Sequence, residues 1–170
     1  MTRELTEKYP NIASIYFLEN TGRADIVTGN PILIYGSSTI SADLLGLTFE
    51  IQPKSFFQVN TLGAEKLYSV VADHLLRHPE QSEGSRNMDS SASPQNDGTQ
   101  NQKKVLLDLY AGTGTIGILL AKYFSRVYSV ELVASASADG VANAGRNNVK
   151  NVEFINKKVE DFARDFAKDG

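Results

Sequence analysis

The sequence predicts an α/β fold, with an incomplete parallel, doubly wound sheet preceded by a small antiparallel β region. In residues 105–170, short apolar runs alternate with stretches of helical periodicity, as in strands joined by crossover helices. In residues 1–59, short apolar runs are separated by Asn, Gly and Ser turns, as in antiparallel strands. A length of 170 residues suits one domain, or one domain with part of another.

The antiparallel region is predicted from three apolar runs. Residues 15–18 and 32–35 are short runs that end at turn-forming Asn, Gly and Ser residues. Residues 47–51 alternate in period two, and Pro53 then ends that strand. We expect residues 1–59 to form one small β-rich subdomain with a single antiparallel sheet.

A connecting helix is predicted over residues 60–77, where Asn60 or Thr61 can cap its first turn. Its apolar positions fall at roughly helical spacing: Leu62, Leu67, Val70, Val71, Leu75 and Leu76. Residues 78–104 then lose nearly all large apolar side chains, so they cannot offset their own ordering entropy. The sequence predicts a disordered linker or insertion there.

The parallel region is predicted from a regular succession of elements. Strands are expected at 105–107, 127–130 and 152–155, and helices at 115–124, 135–147 and 159–167. Gly140 and Gly145 weaken the second of these helices.

Composition excludes several classes of function. The net charge of −3, from 17 basic and 20 acidic side chains, gives no general field for holding nucleic acid. The absence of cysteine excludes disulfides, thiolate metal sites and thiol nucleophiles within these residues. No apolar run reaches the roughly 20 residues that span a bilayer. We expect a soluble, cytoplasmic protein with no membrane or metal site.

The stretch Asp-Leu-Tyr-Ala-Gly-Thr-Gly-Thr-Ile-Gly, from Asp108 to Gly117, carries the main functional signal. A glycine-rich turn between a strand and a helix lets a ligand approach the backbone closely, and Gly112 and Gly114 lie in that turn. Glu131, at the end of the next strand, can accept hydrogen bonds from both ribose hydroxyls. These features predict a cofactor that contains a nucleoside.

Two cofactors fit this turn. The Gly-x-Gly-x-x-Gly spacing matches the fingerprint of dinucleotide sites, so a nicotinamide cofactor stays open. Asp108 favours S-adenosylmethionine, because a carboxylate repels a pyrophosphate but suits a ligand with a sulfonium and an ammonium group. Charge complementarity therefore favours S-adenosylmethionine.

The segment Ser-Phe-Phe-Gln-Val-Asn at residues 55–60, followed by a helix, the glycine turn and Val130-Glu131, resembles the uracil-5 RNA methyltransferases. The resemblance covers residues 12–162 outside the predicted linker. It implies a Rossmann-like class I methyltransferase sheet, of which residues 105–170 are the N-terminal, S-adenosylmethionine-binding half.

The resemblance also implies roles for single residues. Gln58 corresponds to a glutamine that touches the cofactor, and Tyr110 to an aromatic position beside it. Thr115 stands where some members have a cofactor-binding asparagine, and a hydroxyl replaces only part of that contact. Glu131 corresponds to the acid on the ribose.

Three further positions are matched by the resemblance. Asn143 and Asn147 correspond to asparagines that are common in the helix after the second strand, where we expect a structural role. Lys158 lies near the turn that faces adenine, but it departs from the usual Asp or Asn, so no side-chain contact is inferred there.

In that family, a cysteine attacks C6 of a flipped-out uracil in tRNA or rRNA, and a carboxylate later removes the C5 proton. Those residues belong to the C-terminal part of the family domain, and this chain contains no cysteine. We therefore expect a fragment, inactive alone, of an enzyme whose partner is RNA. A non-catalytic binding module and a nicotinamide-dependent oxidoreductase are the alternatives.

Overall fold

A computed structural model describes residues 2–19, 29–77 and 104–169 of the chain. Its first part contains two helices and four strands: α1 (Thr2–Lys8), β1 (Ser14–Phe17), β2 (Ile32–Gly36), β3 (Ile40–Leu44), β4 (Leu47–Ile51) and α2 (Thr61–Arg77). Apart from Lys104, the predicted insertion at 78–104 lies outside the described residues.

The second part alternates strands and helices as predicted: β5 (Val105–Leu109), α3 (Thr115–Leu120), β6 (Arg126–Glu131), α4 (Ala134–Arg146), β7 (Val152–Asn156) and α5 (Val159–Asp169). The three strands form a parallel sheet in the order β5-β6-β7. The predicted incomplete Rossmann-like sheet is therefore confirmed. The helix predicted at 115–124 is shorter, because its last turn tightens into a 3₁₀ turn at Ala121–Tyr123.

The antiparallel region differs from the prediction of one sheet. β1 pairs only with β2, and β3 only with β4, so the described residues form two separate two-stranded ribbons. Neither α1 nor β3 is predicted by the sequence pattern. The turn that joins β3 to β4 is Leu45-Gly46, with φ angles of 49° and 79°, and a leucine there is not a typical signal for such a turn. Glu65 of α2 accepts a hydrogen bond from the Leu45 N–H at 3.0 Å.

Two asparagines of α4 occupy the outer edge of β4. The Asn143 amide accepts from the Glu50 N–H at 2.8 Å and donates to the Glu50 carbonyl at 3.1 Å. Asn147 makes the same pair of bonds with Thr48, at 3.0 and 2.8 Å. Because the free backbone groups of Thr48 and Glu50 are satisfied in this way, no further strand can pair with this edge. The structural role predicted for both asparagines is observed.

One apolar core joins the two parts of the chain. Leu44 and Phe49 of the β3–β4 ribbon are fully buried against side chains from α2, α3 and α4: Ala64, Tyr68, Ile118, Leu119 and Ala144. A second cluster lies between the sheet and α5, formed by Val130, Val159 and Phe162. The β3–β4 ribbon thus extends the core of the parallel sheet. Among the described residues, no helix is both long and apolar enough to cross a membrane.

The hydrogen bonds of Asn143 and Asn147 to β4 allow a matched test of how burial affects their contribution to stability. Asn143 is 1% exposed, so Asn143→Ala leaves the part-buried N–H and carbonyl of Glu50 without these partners. We expect it to lower the free energy of unfolding by about 3 kcal/mol, whereas Asn147→Ala costs about 1 kcal/mol because water can replace its bonds. Urea denaturation of both variants measures the difference. Equal losses would contradict this account.

Candidate functional site

The carboxyl ends of β5 and β6 place a glycine-rich loop beside two carboxylates. The loop is held by the backbone of β6, since the Ala111 N–H donates to the Val130 carbonyl at 3.0 Å. Glu131 accepts from the Gly112 N–H at 2.9 Å, and Asp108 accepts from the Gly117 N–H at 3.0 Å. The two predicted acids therefore fasten the two ends of the loop.

Glu131 also shapes the chain that leaves β6. Its Oε1 atom accepts from the Val133 N–H at 2.7 Å, just before α4 begins, while Oε2 accepts from Gly112. An ionised carboxylate has about four acceptor positions. Glu131 therefore keeps acceptor capacity on both oxygens for the hydroxyls of a ligand.

Asp108 is half-buried near the end of β5. Its Oδ2 atom faces the start of α3 and receives a second hydrogen bond, from the Ser129 hydroxyl at 3.3 Å. Burial raises the pKa of Asp108 above its ordinary value, although the hydrogen bonds from Gly117 and Ser129 act in the opposite direction. A direct contact between Asp108 and a cofactor stays a prediction, since its observed role is to anchor the loop.

The three glycines of the loop have different surroundings. Gly112 has a φ of 57°, and a Cβ atom added there meets no atom of the described residues within 4 Å. At Gly114, with a φ of 69°, an added Cβ overlaps the Phe154 ring. At Gly117 it lies 2.8 Å from Asp108 Oδ2. Only Gly112 therefore leaves the loop open to a ligand.

The position of Phe154 bears on the choice between cofactors. In the dinucleotide fingerprint, the second glycine lets the pyrophosphate approach the backbone. Here the side-chain space of the second glycine, Gly114, is filled by the ring of Phe154, which also fills that of Gly140 on α4. The spacing that suggested a nicotinamide cofactor thus has a packing explanation in this chain.

Tyr110 and Thr115 complete the group of predicted residues at the loop. Tyr110 has a φ of 59°, is 71% exposed, and donates from its hydroxyl to Glu160 Oε1 at 3.2 Å. The negative charge of Glu160 raises the pKa of Tyr110. The Thr115 hydroxyl lies 3.2 Å from the buried Thr113 hydroxyl. A residue held with positive φ at a loop is a feature of functional sites.

The structure gathers Asp108, Tyr110, Gly112, Gly114, Thr115 and Glu131 at one edge of the sheet. Gln58 lines a different cavity, of about 440 Å³, together with Tyr16, Ser55 and Phe57. A contact between Gln58 and the cofactor stays a prediction.

Two residues near the site were missed by the sequence reasoning. Phe154 is an ordinary apolar strand position in the sequence, and Asp139 is an ordinary polar position on a helix. In the structure, Asp139 receives hydrogen bonds from Gln52 and Ser55. Since these contacts span more than 80 residues of sequence, only the tertiary structure could reveal them.

Comparison with known proteins identifies related chains. The family model described as tRNA (Uracil-5-)-methyltransferase matches residues 90–169. An uncharacterized RNA methyltransferase of Fusobacterium nucleatum is 36% identical over 158 residues, which are 92% of this chain and 29% of that protein. The human tRNA (uracil-5-)-methyltransferase homolog A is 37% identical over 89% of this chain and 21% of its own length.

A solved structure is also similar. The Pyrococcus abyssi tRNA (uracil-54, C5)-methyltransferase, determined in complex with S-adenosyl-L-homocysteine, superposes with a TM-score of 0.60 and 28% identity. The match covers 88% of this chain and 31% of that one. The chain thus spans less than a third of the length of each of these three relatives.

The glycine environments predict unequal effects of alanine. Gly112→Ala adds only the strain of positive φ, and we expect it to lower the free energy of unfolding by about 1 kcal/mol. Gly46→Ala is a matched control, because Gly46 also combines positive φ with open space. Gly114→Ala forces the Phe154 ring to move and should cost roughly 3 kcal/mol. Thermal and urea unfolding compare the three. A Gly114→Ala variant as stable as the control would refute the packing role.

The raised pKa of Asp108 predicts a pH dependence. The folded state holds the Asp108 proton more tightly than the unfolded state does. The stability that this protonation contributes is therefore complete below pH 3.8 and is lost as pH rises through the raised pKa. We therefore expect Asp108→Asn to gain stability relative to the parent chain as pH increases from 3.8 to neutral.

Asp165→Asn serves as the control for this measurement, with the opposite sign. A hydrogen bond from Lys157 lowers the pKa of the exposed Asp165, so its contribution is present above pH 3.8 and is lost as pH falls through the lowered pKa. Urea unfolding measured from below pH 3.8 up to neutral pH gives both differences, the Asp165 difference below pH 3.8 and the Asp108 difference above it. A pH-independent difference for Asp108→Asn would show that the carboxyl titrates alike in both states.

Proposed function

The chain belongs to the RNA uracil-5-methyltransferase family, and from this premise we propose that it is the cofactor-binding part of an enzyme that methylates uridine C5 in tRNA or rRNA. The observation that carries the proposal is the loop at the carboxyl edge of the sheet. Its one open glycine, Gly112, lies beside the acceptor oxygens of Glu131. We propose S-adenosylmethionine as the cofactor.

The residues of the loop fit this ligand. The two loop-anchoring acids, Asp108 and Glu131, give the site a negative character that suits a cationic ligand without phosphate. Glu160, which binds the Tyr110 hydroxyl, adds a further carboxylate at the same edge. The phenylalanine behind Gly114 blocks the close approach that a pyrophosphate needs. A nicotinamide cofactor is therefore disfavoured.

Each residue then has a proposed task. Glu131 accepts hydrogen bonds from the ribose hydroxyls, and the exposed ring of Tyr110 provides an apolar surface for the nucleoside. Gly112 and Gly114, like Tyr110, have positive φ angles that shape the loop, and Thr115 directs a hydroxyl to the same edge. Gln58 contacts the cofactor from the segment before α2. When bound, S-adenosylmethionine supplies the methyl group.

Chemistry at the uracil requires groups beyond this chain. The family's nucleophile is a cysteine, and the 170 residues contain none. We propose that a longer parent enzyme supplies the cysteine, the base and the RNA-binding surface, and that this chain alone transfers no methyl group. The RNA partner is thus reached through the parent enzyme.

Calorimetry tests the cofactor assignment. We expect S-adenosylhomocysteine to bind the chain and NAD not to bind. We expect Gly112→Ala to weaken S-adenosylhomocysteine at least tenfold, or about 1.4 kcal/mol, because its methyl group projects into the open side of the loop. Gly46→Ala, with the same backbone strain away from the loop, should bind as the parent chain does. Tight NAD binding without a response to S-adenosylhomocysteine would overturn the proposal.

A further inference from the structure

We propose that Asp139 is a positioning residue, which fixes the segment containing Gln58 so that this glutamine meets the cofactor. The inference rests on the proposed function, since it acts through the contact of Gln58 with S-adenosylmethionine. Nothing in the sequence marks Asp139, a half-buried residue on the second turn of α4.

Both oxygens of the Asp139 carboxylate are used by the chain that follows β4. Oδ1 accepts from the Gln52 side-chain amide at 2.8 Å, and Oδ2 accepts from the Ser55 hydroxyl at 2.5 Å. Hydrogen bonds to an ionised acceptor are stronger than neutral ones. Ser55 is three residues before Gln58, and both line the same cavity. The carboxylate therefore restrains the backbone segment that leads to Gln58.

This attachment is linked to the glycine loop through the ring of Phe154. Asp139 directly precedes Gly140, whose side-chain space is filled by the same Phe154 ring that packs on Gly114. Phe57 belongs to the same apolar cluster as Phe154, and its ring centroid is 5.8 Å from that of Phe49. Gln58 thus follows a residue anchored within the cluster that supports the loop.

The Asp139 contacts differ from the other bonds between α4 and the β region. The other bonds go to Thr48 and Glu50 of β4, residues whose positions are set by their register with β3. They come from Asn143, Asn147 and Arg146. Gln52 and Ser55 follow the end of β4 and pair with no strand in the described part of the chain. A turn bond from the Ser55 N–H to the Gln52 carbonyl, at 3.0 Å, joins them. Loss of Asp139 therefore loosens this segment, while the asparagines still hold the ribbon on α4.

A double-mutant cycle tests whether Asp139 acts through Gln58. We expect Asp139→Ala and Gln58→Ala each to raise the Kd of S-adenosylhomocysteine about tenfold in calorimetry. The double variant should bind no more weakly than Gln58→Ala alone, because a glutamine that is absent cannot be positioned. A merely structural role for Asp139 predicts that the two effects multiply instead.

Arg146→Gln is the matched control on the same helix, because it breaks the ion pair with Glu50 and leaves Gln52 and Ser55 in place. It should bind S-adenosylhomocysteine as the parent chain does. If Asp139→Ala does not fold, as judged by circular dichroism, Ser55→Ala takes its place in the cycle and removes one of the two bonds.

The outcomes separate this inference from the proposed function. A parent chain that does not bind S-adenosylhomocysteine refutes the proposed function, and with it the premise of the inference. A parent chain that binds, combined with an unchanged Kd for Asp139→Ala or with multiplying effects, refutes only the positioning role. Non-additive losses with an unaffected Arg146→Gln control support it.

Discussion

Two asparagine side chains of α4 take the place of a neighbouring strand along the free edge of β4. A strand edge exposes N–H and carbonyl groups that need partners, and an amide side chain offers both a donor nitrogen and an acceptor oxygen in the spacing required. Asn143 and Asn147 are four residues apart, so they lie on one face of the helix and reach Glu50 and Thr48, which are two apart on the strand. The spacing of one helical turn on α4 therefore matches the spacing of two residues along β4.

This junction helps to position the glycine-rich loop relative to the β3–β4 ribbon. The same helix carries Gly140, which packs on Phe154, and Phe154 in turn supports Gly114 in the loop. The ring of Phe154 thus lies between the helix that holds β4 and the turn that we propose faces the cofactor. Because protein interiors are close-packed, a shift of α4 would be transmitted to the loop through this ring.

The loop itself is organised by carboxylates acting on backbone N–H groups. Asp108 and Glu131 restrain its two ends, and Tyr110 between them adopts a φ that costs a side-chain-bearing residue about 1–2 kcal/mol. This strain is tolerated because the surrounding hydrogen bonds fix the backbone on both sides. The result is an open turn in which Gly112 is accessible and acceptor oxygens stand beside it.

The sequence by itself determined the parallel α/β half, the glycine loop and its two acids, because apolar periodicity and glycine spacing are local signals. Six of the seven predicted cofactor residues lie together at one sheet edge, as the order of strands and loops required. The β3–β4 turn at Leu45-Gly46 carried no familiar turn signal, so β3 was missed. Only the tertiary structure decided the pairing of α4 with β4, the role of Phe154 behind Gly114, and the contacts of Asp139. Each of these joins residues that are at least 40 positions apart in the chain. Side chains such as Asp139 and Phe154 carry no local sequence signal, because their roles depend on partners that only folding brings into contact.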